Sequence, residues 1–193
     1  MVTTAAAKKP PSASPSQAPK SAAAARPRRQ KDACDLLDAD HKVVKALFKE
    51  FEALTESRSR SPTKKRQLAD QICQALTVHA AIEEEIFYPA ARAAIKDSAL
   101  MNEAMVEHAS AKDLIAQIQG MDAGDEMFDA RVKVLGEYVD HHVKEERTEM
   151  FTKARKTKLD LVKLGEQLAQ RKEALMGDMQ PQGSAVSELS SAL

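Results

Sequence analysis

Residues 139–151 read VDHHVKEERTEMF. His141 and His142 stand side by side, and a glutamate follows each by one helical turn, at Glu145 and Glu146, in a stretch without glycine or proline. On a helix, residues four apart share a face, so each His-Glu pair points one way. A charged helix surface and half of a metal site both fit that pattern. The apolar stripe decides between them. Residues at alternating spacings of three and four run Phe128, Val132, Leu135, Val139, His142, Glu146, which turns His142 and Glu146 inward and leaves His141 and Glu145 one step round the helix. A shift of register would exchange the two pairs, so His141 stays open as a site residue.

The same spacing picks out three more helices. The first, over about 33–56, gives Leu37, His41, Val44, Phe48 and Phe51, and SRSRSP stops it. The second begins with Ser61 as N-cap and Pro62 in its first turn, and runs to about 95 through Leu68, Ile72, Ala75, His79, Ile82 and Ile86. Glu83 lies one turn above His79, and Pro89 predicts a kink or a local break in the hydrogen-bond ladder. The third covers about 98–119, with Met101, Ala104, His108, Ala111, Ile115 and Ile118 inward and Gly120 as its stop. The helix that holds 139–151 covers about 125–156. An amphipathic segment, KLDLVKLGEQLAQRKEALMG, comes next and is expected to pack across the outside. Four long helices with short connections predict an all-α, up-down-up-down four-helix bundle with an additional C-terminal helix.

A lone histidine on an apolar face is more often a hydrogen-bonded core residue than a ligand. Here four of the five histidines fall on inward stripes, one per helix. Burying four imidazoles and two carboxylates without compensation costs several kcal/mol per charged group. One metal centre explains all six. The order also repeats: Asp40-His41 precedes His79 and Glu83 as Glu107-His108 precedes His142 and Glu146. Two hairpins of one design would bring the histidines and carboxylates together, with both carboxylates bridging two ions. Imidazole and carboxylate donors without cysteine fit iron, and after it manganese, better than copper(I) or structural zinc.

The DH of the first helix, HAAIEEEIFYPAAR of the second, EH of the third and HHVKEERTEMFTKAR of the fourth resemble the hemerythrin family, in its bacterial HHE cation-binding branch. The likeness covers about residues 33–175. It implies a hemerythrin-like bundle with two non-haem iron ions that meet dioxygen, peroxide or nitric oxide. By position, the implied metal ligands are His41, His79, Glu83, His108, His142 and Glu146. One departure stands out. Oxygen-carrying hemerythrins have a second histidine one turn along the third helix, where this chain has Lys112 after His108 and Ala104 before it. A centre with fewer histidines leaves coordination positions open and puts simple oxygen carriage in doubt. Tyr138, one turn before His142, is a candidate proton donor or a packing residue; Glu84 and Glu85 read as solvated, and Met101, Met105 and Met150 as core fillers.

Composition bounds the rest. The chain has 193 residues, 43% of them hydrophobic and 4% aromatic, which suits a helical core of Leu, Ile, Val, Met and Ala. Residues 1–31 hold seven bases, no acid and five of the eight prolines, and are expected to form a disordered basic tail. The bundle is expected over 32–176 and a flexible C-terminal tail over 177–193. Cys34 and Cys73 have no Cys-x-x-Cys spacing and read as buried thiols in a reducing compartment. With no signal peptide pattern and no membrane-length apolar run, a soluble cytoplasmic protein is expected; the sequence leaves its oligomeric state open. Oxidant sensing or detoxification at a di-iron centre is the leading function. The alternatives are iron storage or donation, and a helical bundle that docks on DNA through weak phosphate contacts of the basic tail.

Overall fold

The structure, a computed structural model, describes Met1 and residues 31–57 and 61–179. The two tail expectations fall almost wholly outside those residues. Helix α1 is Ala33–Glu56. Helix α2 starts as Pro62–Ile82, widens into a π-helical segment at Glu83–Phe87 and continues as Tyr88–Ile95. Helix α3 is Ser98–Gln119. Helix α4 repeats the design of α2, with Phe128–Glu145, a π-helical segment at Glu146–Met150, and Phe151–Ala154. Helix α5 is Leu161–Asp178, so the expected bundle boundary at 176 falls inside its last turn.

Capping side chains set the starts. The Asp32 carboxylate accepts from Asp35 N–H and the Asp35 carboxylate from Asp32 N–H, a reciprocal box at the head of α1. Ser61 accepts from Lys64 N–H with Pro62 just inside the helix, and Asp97 and Asp160 cap α3 and α5 in the same way. Each satisfies an amide that the helix itself leaves orphaned. The break expected from Pro89 appears one turn earlier, as the first π segment. The second π segment contains no proline, so proline alone does not explain the pair.

Helix α1 packs on α2 and α4, and α3 packs on α2 and α4, which closes the four-helix ring. The apolar core is split in two. One part holds Leu37, Ile82, Phe87, Met101, Met150 and Phe151; the other holds Val44, Ile72, Ile115, Phe128, Val132 and Leu135. His41 lies on α1 between Leu37 and Val44, and the remaining inward polar residues sit at the same level. Helix α5 covers α1 and α2 with buried Leu164 and Leu168. Gly165 makes this fit: a Cβ there would stand 2.9 Å from Ala33 N. Arg171 and Lys172 then pair with Glu85 and Asp40. Met101 and Met150 are buried as expected, whereas Met105 is 41% exposed on the outer side of α3.

Candidate metal centre

All six residues of the inward set meet in the layer between the two core halves. His41, His79, His108 and His142 are buried, and Glu83 and Glu146 are 0% and 1% exposed. Each helix of the ring gives one histidine, and α2 and α4 each add a glutamate where the π segment begins. A π turn inserts one residue and rotates the side chains beyond it, a device common at functional sites.

The donor atoms converge. His41 Nε2 lies 2.9 Å from His79 Nε2, and His108 Nε2 lies 3.3 Å from His142 Nε2. Glu83 spans the two pairs, with Oε1 3.2 Å from His79 Nε2 and Oε2 3.4 Å from His108 Nε2. Glu146 Oε2 is 3.2 Å from His41 Nε2. One donor atom each from His41, His79, Glu83 and Glu146 fall within 4.8 Å of one another, and so do those of Glu83, His108 and His142. Glu83 belongs to both sets.

All four carboxylate oxygens of Glu83 and Glu146 are buried without a hydrogen-bond partner among the described residues. Such orphaned charge is costly unless a cation completes it. The residues present therefore fit a metal. Electrostatics agree: burial works against a carboxylate on Glu83, but His79 and His108 hold it well below the usual range. Burial, reinforced by the Glu83 charge, raises Glu146. On His79 burial opposes the charged form, yet Glu83, Asp40 and Glu146 outweigh it and push the imidazole up to about 10. One proton thus stands in for part of the positive charge that the cluster attracts.

Outward-facing ring nitrogens meet a set of carboxylates that spacing did not reveal. His108 Nδ1 is 2.9 Å from Glu84 Oε1, and His142 Nδ1 is 2.8 Å from Glu107 Oε2. Asp40 Oδ2 faces His79 Nδ1 at 3.7 Å. Such partners fix the tautomer and orientation of a ligating histidine. Glu84, expected to be solvated, is instead shared between His108 and Lys112. Glu85 is exposed as expected and pairs with Arg171. The acid of each acid-His pair supports a histidine of the partner helix. His141 stays outside, 61% exposed, with Nε2 3.5 Å from Glu107 and 3.4 Å from Glu145.

The tyrosine nearest the centre is Tyr88. Its Oη lies 3.1 Å from His108 Nε2 and 3.3 Å from His142 Nε2, and the ring is 4% exposed. Tyr138 is 49% exposed and lines a cavity beside the histidines. That cavity, about 40 Å³, is lined by His41, His79, His108 and His142 and by apolar side chains including Val44, Leu76, Ala111 and Val139.

Residues 32–154 match the hemerythrin HHE cation binding domain family. The chain belongs to that family. A 121-residue stretch is 31% identical to a DNA nickase of Nostoc sp. (strain PCC 7120), covering 63% of this chain and 33% of the nickase. The chain thus spans about a third of that relative's length. The crystal structure of a hemerythrin HHE cation binding domain-containing protein from Mycobacterium kansasii superposes with a TM-score of 0.64 at 23% identity, over 77% of this chain and 89% of that one. At that identity the likeness speaks for the fold. A cation-binding hemerythrin-like bundle is what family and geometry share, and no helix among the described residues is long and apolar enough to cross a membrane.

Proposed function

We propose that this hemerythrin-like bundle holds two non-haem iron ions and acts on a small oxidant, namely dioxygen, peroxide or nitric oxide, in sensing or detoxification. His41, His79, His108 and His142 would supply nitrogen, and Glu83 and Glu146 carboxylate oxygen. The carrying observation is the pair of fully buried glutamates with four unsatisfied oxygens among four imidazole Nε2 atoms. Nitrogen and carboxylate donors suit iron, with manganese second. When bound, a pair of such ions supplies redox and Lewis-acid chemistry to a small ligand. The chain's own part is selection and orientation. A cavity of about 40 Å³ has room for one or two water-sized molecules and no organic substrate. Tyr88, with burial and the Glu83 and Glu146 charges holding its hydroxyl well above the usual range, keeps a protonated oxygen beside His108 and His142 in the metal-free state.

Metal analysis of the full chain purified from iron-replete cells tests this reading. Two irons per chain support it; zinc in their place, or no metal, overturns it. The expectation of a cytoplasmic protein belongs with the proposal, and both buried cysteines are free thiols.

A second reading has its own observations: a relative named as a DNA nickase, and seven bases with no acid in residues 1–31. Under it the bundle docks on DNA through phosphate contacts of that segment. Affinity for duplex DNA that falls with salt and disappears when residues 1–31 are removed supports it. Unchanged affinity after the truncation rules out the tail.

A further inference from the structure

The two halves of the bundle surround the centre with equivalent positions, and those positions are not filled alike. In the second pair, both outward nitrogens are held: His108 Nδ1 by Glu84 at 2.9 Å and His142 Nδ1 by Glu107 at 2.8 Å. In the first pair, His79 Nδ1 has Asp40 no closer than 3.7 Å, because the other Asp40 oxygen is drawn to Lys172 of α5. His41 Nδ1 is buried with no hydrogen-bond partner among the described residues.

The sequence explains the difference. The residue directly after Glu83 is Glu84, which turns to His108. The residue directly after Glu146 is Arg147, which turns away to Asp38 at 2.8 Å and cannot accept a proton from an imidazole. The first residue beyond each π segment differs as well. In α2 it is Tyr88, whose oxygen sits within 3.3 Å of both Nε2 atoms of the second pair. In α4 it is Phe151, which stacks on His41 with ring centroids 6.1 Å apart and planes 9° apart, and offers no donor. Glu83 belongs to both donor sets and Glu146 to the first alone, so with the Tyr88 oxygen each position counts four donors, and the difference lies in how the histidines are held.

A carboxylate on Nδ1–H raises the donor strength of Nε2 and fixes the ring, and its loss typically costs about 10- to 100-fold in metal affinity. We propose that the two cation positions are unequal: the position built on His108, His142 and Tyr88 retains its ion, and the position built on His41 and His79 exchanges its ion. This rests on the two-iron reading. Glu84 and Glu107 are positioning residues of the retained ion, and Asp40 is the weaker counterpart at the exchangeable one. The centre is thereby built to cycle one divalent cation, ferrous or manganous, while the other keeps Glu83 ordered.

The test uses the full chain loaded anaerobically with ferrous iron, freed of excess, and mixed with a ferrous chelator while the coloured chelate is followed. Two phases of equal amplitude are expected, with rates at least about tenfold apart. Glu84→Gln and Tyr88→Phe should each accelerate the slow phase and leave the fast one, whereas Asp40→Asn should accelerate the fast phase alone. Helicity measured by circular dichroism confirms that each variant is folded. Release of both irons in one phase, or acceleration of only the fast phase by both Glu84→Gln and Tyr88→Phe, overturns the proposal and leaves the two-iron reading standing. A chain that takes up no iron overturns both.

Discussion

Tyr88 places its hydroxyl oxygen 3.1 Å from His108 Nε2, on the side of the imidazole that faces the centre. An oxygen there completes the smaller donor set of Glu83, His108 and His142. Were Tyr88 to bind iron(III) there, its phenolate would absorb visible light by charge transfer. The loaded wild type should therefore show a visible band that Tyr88→Phe removes while iron content falls by less than half. A Tyr88→Phe protein with an unchanged visible spectrum would leave Tyr88 as a hydrogen-bonding neighbour only.

His79→Ala and His142→Ala each delete one donor from a four-helix convergence; the first should leave about one ion per chain and the second, which strips the retained position, should leave less. The two apolar core halves lie on either side of the polar layer, so far-ultraviolet circular dichroism should stay close to wild type. His141→Ala should keep both irons, because that ring is 61% exposed and reaches only Glu107 and Glu145. Equal metal loss in the His141 and His142 variants would mean that the inward face of α4 is misassigned.

Much of the centre is legible from spacing. Alternating steps of three and four name His41, His79, Glu83, His108, His142 and Glu146, and the structure brings all six together because each lies in a stripe that must be buried. Helix starts are readable from Ser61-Pro62 and the stop of α3 from Gly120. The aromatic neighbour is not. A count of four back from His142 lands on Tyr138, and counts of three and four on from Glu83 land on Ile86 and Phe87, passing over Tyr88. The π segment adds a residue and turns Tyr88 inward at five. Glu84, Glu107 and Asp40 escape for another reason. Their partners lie across helix interfaces, and no periodicity within one helix encodes that. The repeated acid-His order is the available signal for Asp40 and Glu107.

Gly165 brings α5 against the head of α1, where an added Cβ would stand 2.9 Å from a backbone nitrogen. Backbone cannot swing aside as a flexible side chain does. Gly165→Ala should destabilise the chain by roughly 1–3 kcal/mol, seen as a lower midpoint in thermal or urea unfolding. A midpoint equal to wild type would show that α5 shifts at no cost.

In the metal-free protein, His79 is pushed up to about 10 from 6.5, with burial opposing and Glu83, Asp40 and Glu146 prevailing. A folded-state pKa above the unfolded one means the folded form binds the proton more tightly. That contribution is fully present below about 6.5 and is lost as pH rises through about 10. Glu83, shifted the other way, contributes above the ordinary carboxylate range and loses that contribution in acid. The unfolding midpoint of the metal-free chain should therefore fall from pH 6.5 to pH 10. His79→Gln should flatten this fall, and a wild-type midpoint that does not change over the interval would show that His79 is neutral in the folded state.

Peroxide consumption depends on where a proton-bearing oxygen stands relative to the cavity. Tyr138, 49% exposed, lines the cavity, whereas Tyr88 is buried against His108 and His142 and does not line it. A hydroxyl on the cavity wall can donate a hydrogen bond to a small oxidant and assist its cleavage; a purely apolar pocket favours simple retention. Lys112 in place of a further histidine leaves room for such a ligand. The iron-loaded chain should therefore consume hydrogen peroxide at least about tenfold faster than the metal-free chain. Tyr138→Phe should reduce that gain, and an unchanged rate would leave Tyr138 as a packing residue. Oxygen uptake by the ferrous protein should be rapid and should not reverse under vacuum. A dioxygen complex that forms reversibly and persists for hours would assign the centre to carriage or sensing.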